Sequence, residues 1–390
     1  MSIADRGTDV MMTNYPPRPL ALVRGDGCWV WDDTGKRYLD LVAGIAVVTL
    51  GHAHPAPARA LAEQAAVLGH VSNLFWSEPA VTLAERLCAL SGMQRAFFCN
   101  SGAEANEAAI KLARRHGREV GGDAKHGIVS LEGAFHGRTM GALAATWGEA
   151  KKAPFEPLPT GFRQIPRNDL DALRDAVGPD TAGVLIEPIQ GEGGVNVVDE
   201  AYLAAARELC DAHDALLIFD EVQTGIGRTG SWFAFQRSGV RPDVITLAKG
   251  LACGLPIGAV LSRQLDTGFR PGDHGTTYGG SPAIAAGALA TLDAVEAEGL
   301  VGNAERMGAR LADGMRAVPG VADVRGAGLM VAVELAAGDA AGVAAGLRER
   351  GVLVNAVTES ALRLIPPLVI DAEQVDLAVD TLRAELADRD

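Results

Sequence analysis

The chain has 390 residues, 48% of them hydrophobic, and a formal net charge of -14 at pH 7. That length and apolar content suffice for one large core plus a smaller one, so two domains are expected and disordered or fibrous classes are excluded. The acidic balance excludes duplex nucleic acid as a partner, because such binding needs a positive face to displace counterions from phosphate.

The first residues, Met1 to Leu20, carry acids and prolines where a secretory leader would need a basic start and an apolar run. No stretch approaches the ~20 uninterrupted apolar residues of a membrane span. A soluble cytoplasmic protein without a membrane partner is expected. The cysteines Cys28, Cys88, Cys99, Cys210 and Cys253 are odd in number and scattered, which predicts reduced thiols. His52 and His54 stand two apart before Pro55 without acidic company, so turn or core roles are expected and no metal site is predicted.

Short apolar runs then alternate with helical patterns: Ala96–Phe98, Ile128–Leu131, Gly183–Ile186, Leu216–Phe219 and Val244–Leu247. This alternation predicts buried parallel strands joined by crossover helices. After Pro282 the texture becomes Ala-rich and helical, with strand-like pieces in Val321–Glu334 and Leu353–Ile370 and an amphipathic helix near Glu373–Leu386. The expected fold is α/β. A large domain (56–282) would hold a mostly parallel sheet flanked by helices, and a smaller α+β domain (283–390) would be joined by the N-terminal segment (1–55). In an open parallel sheet, ligands sit beyond the carboxyl ends of the strands, so the polar residues after each run matter most.

The first run leads through Ser101, Gly102 and Ala103 into a helix whose apolar face is Ala105, Ala108, Ala109, Leu112 and Ala113. Ser101 and Glu104 have capping-box spacing, and the free N–H groups of Gly102 and Ala103 at a helix N-terminus suit a phosphate dianion. An ordinary capped helix is the alternative. Phe135, after the second run, could lie on a planar ligand or belong to the core. Arg138 and Arg363 are candidates for carboxylate recognition, since the guanidinium fork matches a carboxylate, although most arginines are solvated surface charges. Asp220 closes the fourth run, where a carboxylate can pair with a protonated pyridine nitrogen, cap a helix or bind a metal. Lys249 follows the fifth run and precedes a glycine-rich turn. Desolvation there would favour the neutral amine that attacks an aldehyde; a surface lysine is the bland alternative.

These residues are embedded in Leu217–Gly230 (LIFDEVQTGIGRTG), Pro242–Gly250 (PDVITLAKG) and Leu255–Gly258 (LPIG). In these motifs, and over its length from about Asn14, the chain resembles the class III (ornithine-type) aminotransferases of fold type I. The resemblance implies pyridoxal 5'-phosphate as cofactor, with Lys249 as the Schiff-base lysine and proton shuttle. It implies Asp220 as partner of the pyridine nitrogen, Gln223 as a hydrogen bond to the ring's phenolic oxygen, Ser101, Gly102 and Ala103 around the phosphate, and Phe135 on the ring. Thr277 matches a threonine that reaches the phosphate from the neighbouring subunit, which implies a homodimer with shared active sites.

For substrates, the resemblance implies Tyr15 and Arg138 as a clamp on the amino donor's carboxylate, with Thr276 in the same set. Arg363 would bind the α-carboxylate of 2-oxoglutarate and glutamate, and Glu192 would pair with Arg363 while the first substrate is bound. Gly44–Val47 leading to Gly51–Pro55 look like the acetylornithine branch of the class, and Ile45 stands where ornithine enzymes usually show tyrosine. That implies N2-acetylornithine as donor and arginine biosynthesis as the pathway. The family pattern is departed from at Ala103 (often Thr), Thr276 (Ser), Ser281 (Asn) and Val48–Thr49 (Asn–Val), which puts substrate preference in question. The alternatives are another ω-aminotransferase, acting on ornithine, succinylornithine, succinyl-diaminopimelate or 4-aminobutyrate, then an aminomutase, and last a non-catalytic binding protein.

Overall fold

The apolar runs assemble into one seven-stranded sheet in a computed structural model that describes residues 2–389; the outer ends of the expected domains, Met1 and Asp390, lie outside them. In chain order the strands are β1 Arg95–Cys99, β2 Gly127–Leu131, β3 Phe162–Ile165, β4 Thr181–Ile186, β5 Leu216–Asp220, β6 Val244–Leu247 and β7 Gly258–Ser262. Their spatial order is β1-β7-β6-β5-β4-β2-β3. All pairings from β6 through β3 are parallel. The exception is β7, which runs antiparallel to both β6 and β1.

Burial on both faces explains the runs. On β5, Leu217 and Phe219 join one apolar cluster while Leu216 and Ile218 join the other. The second cluster is closed by helix α1, Gly102–Gly121, through Ala105, Ala108, Ala109, Leu112 and Ala113. Two strands of this sheet are not expected from the sequence. β3 lies at the sheet edge with polar Arg163 and Gln164 in it, and β7 opens on Gly258, where a Cβ would come within 2.3 Å of the Ser101 carbonyl oxygen.

The C-terminal half adds an antiparallel sheet ordered Val321–Ala327, Met330–Leu335, Ala361–Leu364, Asn355–Ala356. The N-terminal strands Leu22–Asp26, Trp29–Asp32 and Arg37–Asp40 form their own sheet, completed by Val352–Leu353 lying parallel to Arg37–Asp40. Leu39, Leu41 and Leu50 share a core with Leu311, Val333, Leu364 and Leu382. Helix α2, Pro282–Ala297, runs between the two cores: Ala285, Ala288 and Leu292 pack in the first, Ala294 and Val295 in the second. The terminal helix spans Ala372–Ala387.

His52 Nε2 lies 2.7 Å from Asp40 Oδ2, and His54 Nδ1 accepts the Ala56 N–H at 3.2 Å, capping the helix that follows. All five cysteines are free thiols. Among the described residues, no helix is long and apolar enough to cross a membrane.

Candidate active site

The carboxyl ends of five strands and the amino end of β7 converge on one cavity of about 420 Å³. The rule that ligands of open parallel sheets gather beyond these ends is satisfied here by particular side chains. β1 contributes Asn100 to Ala103, β2 the loop Phe135–Arg138, β4 the loop holding Glu187 and Glu192, β5 Asp220 to Gln223, and β6 Ala248 and Lys249.

At the head of α1, Ser101 Oγ accepts the Glu104 N–H at 3.2 Å. The capping box is only half made. Glu104 Oε2 accepts from the backbone N–H and side-chain Nδ2 of Asn100, both at 2.8 Å, instead of from Ser101. The carboxylate thus reaches one residue further back and fixes the end of β1. Gly102 and Ala103 occupy the first turn, where N–H groups have no intrahelical acceptor and the helix dipole is positive. Gly102 is held close to the β5 loop: a Cβ there would meet Val222 Cγ1 at 2.7 Å.

Asp220 is buried and already hydrogen-bonded on one side. Its Oδ2 accepts from Asn106 Nδ2 at 2.7 Å and contacts His136 Nδ1 at 2.8 Å, while Oδ1 accepts the Val222 N–H at 3.0 Å. Asn106 is fixed in turn, donating also to the His136 carbonyl at 2.7 Å and accepting from Thr246 Oγ1 at 2.8 Å. Lys249 begins a short 3-10 turn with φ 42°, a left-handed conformation unusual for a side chain that is not glycine. Burial pushes its amine pKa down; Arg363 adds to that, while Glu192, Asp220 and Glu187 oppose it, and the net direction is downward.

Arg138 is exposed and its guanidinium carbon sits 5.4 Å from the centre of the half-buried Phe135 ring. Arg363 arrives from the other sheet, on Ala361–Leu364, and is only 2% exposed. It donates to Glu192 Oε1, to Gln223 Oε1 at 3.2 Å and to Asn355 Oδ1 at 3.4 Å, and its Nε has no partner. Burial alone would raise the Glu192 pKa, but the charge and hydrogen bond of Arg363, with Lys249 behind them, bring it below the ordinary value. The Gln223 side chain is engaged here with Arg363 and, at 3.4 Å, with Glu192.

The structure therefore brings together Ser101, Gly102, Ala103, Phe135, Arg138, Glu192, Asp220, Gln223 and Lys249 at the cavity wall, with Arg363 behind Glu192. Thr276 is tied to this wall through Asn100, 3.4 Å away, whereas its neighbour Thr277 is exposed. Tyr15 lies elsewhere: it is exposed and lines a separate hollow made by residues between Ile3 and Ala21. Among the wall residues to which the sequence assigned no role are Asn106, His136 and Glu187. His136 stood beside Phe135 and Asn106 followed the helix cap by five positions, but their contacts cross between distant elements and leave no spacing to read.

A family model for class-III aminotransferases matches residues 10–386. The chain is a member of the class-III aminotransferase family. It is 48% identical to an acetylornithine aminotransferase of Bordetella pertussis over 94% of this chain and 95% of that one. It is 49% identical to an acetylornithine aminotransferase of Mycolicibacterium smegmatis over 99% and 98% of the two chains. Among solved structures, the ornithine aminotransferase of Toxoplasma gondii superposes with a TM-score of 0.94 at 36% identity, covering 99% of this chain and 94% of that one.

Class-III aminotransferases depend on pyridoxal 5'-phosphate, and the cavity of this aminotransferase fits that group. A buried carboxylate with spare acceptor capacity, two first-turn N–H donors without acceptors and an amine of lowered pKa all border the same space. The cofactor, when bound, supplies an electron sink and a temporary carrier for the amino group.

Proposed function

We propose that this aminotransferase moves the terminal amino group of N2-acetylornithine to 2-oxoglutarate, yielding N-acetylglutamate 5-semialdehyde and glutamate, in arginine biosynthesis. The observation that carries the reading is the Arg363–Glu192 pair at the edge of the cavity that holds Lys249. An amine at the end of a carbon chain brings no carboxylate near the reacting carbon, and a neutralised arginine tolerates it. An α-keto acid does bring one, and a guanidinium freed from Glu192 binds it in bidentate fashion. The names of the relatives at 48% and 49% identity support the same donor.

In this reading, Gly102 and Ala103 hold the phosphate through backbone N–H groups, aided by Ser101. Phe135 would pack against the ring and Asp220, itself held by Asn106 and His136, would pair with the pyridine nitrogen. Gln223 would supply a hydrogen bond to the phenolic oxygen. Lys249 Nζ removes the proton from the donor's terminal carbon in the first half-reaction and returns one to the α-carbon of the product in the second. Arg138 takes the donor's carboxylate, with Thr276 close by.

The protein works as a homodimer in the cytoplasm. Leu74, Phe75 and Trp76, exposed by 81%, 72% and 92%, adjoin the Thr276–Tyr278 loop through Asn73, which donates to the Thr276 carbonyl at 3.1 Å. An apolar surface of that size beside a site residue supports a second copy covering it and supplying Thr277 and Tyr15 to its neighbour's cavity. Five free thiols suit a reducing compartment.

Steady-state turnover with 2-oxoglutarate and N2-acetylornithine, ornithine, succinylornithine or 4-aminobutyrate in turn tests the donor. The highest kcat/KM is expected with N2-acetylornithine. The fold match to an ornithine enzyme makes ornithine the second reading, and preference for it would replace the donor while keeping the chemistry.

A further inference from the structure

Glu187 is buried at the cavity wall, 5% exposed, and the roles assigned above leave it unused. It has no lysine or arginine partner among the described residues. A buried carboxylate without a cation is costly, and a glutamine or methionine would fill the space at less expense in desolvation. What satisfies it is backbone: Oε1 accepts the Phe135 N–H at 2.8 Å and Oε2 accepts the Gly191 N–H at 3.2 Å.

These two donors belong to different loops. Phe135 lies three residues before Arg138, and Gly191 immediately precedes Glu192. Farther from the cavity the same loops are joined once more, where Gln190 Nε2 donates to the Glu132 carbonyl at 2.8 Å. We propose that Glu187 is a positioning residue whose carboxylate clasps the loop carrying Arg138 to the loop carrying Glu192, setting the spacing between the arginine that takes the donor's carboxylate and the glutamate that neutralises Arg363.

The clasp rests on the functional reading given to Arg138, Glu192 and Arg363. It needs the ionised form, because a protonated carboxyl turns an O–H toward one of two N–H donors and loses a tie. Burial pushes the Glu187 pKa up to about 7, with Asp220 adding to the rise and His136 opposing it. The other ionisable groups around the cavity wall are Lys249 at the end of β6, Arg138 on the β2 loop and Glu192 on its own loop.

The test compares the holoenzyme with its Glu187→Gln variant, reading KM for N2-acetylornithine and for 2-oxoglutarate across pH, and binding of glutarate by calorimetry, with thermal melting to verify folding. In the wild type, both KM values rise as pH falls through about 7, as Glu187 takes up its proton. The glutamine variant has KM values raised about 10-fold at every pH, without that dependence, glutarate binding weakened alike, and kcat changed about 3-fold or less. A folded variant with wild-type KM values and wild-type pH profile overturns the proposal. Should glutamine prevent folding, Glu187→Asp, too short to reach both N–H groups, is read in the same way. Arg363→Lys serves as the control: if it leaves the KM for 2-oxoglutarate unchanged, the reading of the site has failed, independently of the clasp.

Discussion

Arg363 and Glu192 form an ion pair between two structural units, the guanidinium 2% exposed on the antiparallel sheet and the carboxylate 31% exposed on the loop after β4. The asymmetry matters. The arginine is locked in place by Gln223 and Asn355, while the glutamate on the more open side can leave. Breaking such a pair leaves a buried charge that needs another anion, and in the proposed function the carboxylate of an incoming keto acid would offset the cost of opening it.

Arg363→Lys keeps the charge and loses the fork. The KM for 2-oxoglutarate is expected to rise by about 10- to 100-fold, equivalent to about 1.5–3 kcal/mol, with the KM for the amino donor changed little. Steady-state kinetics with each substrate varied separately checks this split.

Lys249 is expected to capture pyridoxal 5'-phosphate at a lower pH than an exposed lysine would. Only the neutral amine attacks the aldehyde, and burial pushes the Lys249 pKa down, so the neutral fraction rises earlier with pH. The rate of cofactor uptake by the apoprotein, followed by absorbance, should increase with pH and level off below the ~10.4 of a free lysine. Lys249→Ala should lower turnover by about 100-fold or more, the scale of a lost general acid–base group.

Asn106→Ala removes the donor that Asp220 Oδ2 and the His136 carbonyl share and strands the Thr246 hydroxyl. With the His136 carbonyl and the Thr246 hydroxyl unpaired and Asp220 Oδ2 left with His136 alone, the apoprotein should be destabilised by about 1–3 kcal/mol, measured by urea unfolding, and catalysis slowed by loosening Asp220.

Gly102→Ala places a methyl 2.7 Å from Val222 Cγ1. Overpacking of this kind costs about 1–3 kcal/mol, and the shifted helix start should weaken cofactor binding by about 10-fold. Equilibrium titration of the apoprotein measures the loss. Adding Val222→Ala opens the space again and should restore most of the affinity.

How much of this was legible in the sequence follows from how each feature is encoded. β5 and β6 were readable because both their faces are buried, so Leu216–Phe219 is an unbroken apolar run and Val244–Leu247 is apolar but for Thr246, and Asp220 and Lys249 were readable as the charged residues that follow them. β3 was lost because an edge strand tolerates Arg163 and Gln164, and β7 because it begins in glycine. The Ser101 cap was local and visible, yet the turn of Glu104 toward Asn100 depends on where β1 stops. Asn106, His136 and Glu187 act across elements separated by many residues: the Asn106–Asp220 bond spans 114 positions, and no periodicity records such a contact. Tyr15, carried over from the family, lies outside the cavity of the single chain.

Lys249→Ala and Thr277→Ala, each severely impaired alone, should regain activity when unfolded together and refolded, because a mixed dimer contains one cavity with both residues intact. Activity that stays at the level of the parents would place Thr277 outside its neighbour's site.

The most direct test of the movable pair is the rate of each half-reaction in Glu192→Gln, followed by the cofactor's absorbance in single turnovers. With Arg363 no longer neutralised, N2-acetylornithine is expected to react at least about 10-fold more slowly while the return reaction with 2-oxoglutarate keeps its rate, and glutamate to compete better as donor. Equal slowing of both half-reactions, or of neither, would contradict the claim that Glu192 leaves Arg363 for one substrate and returns for the other.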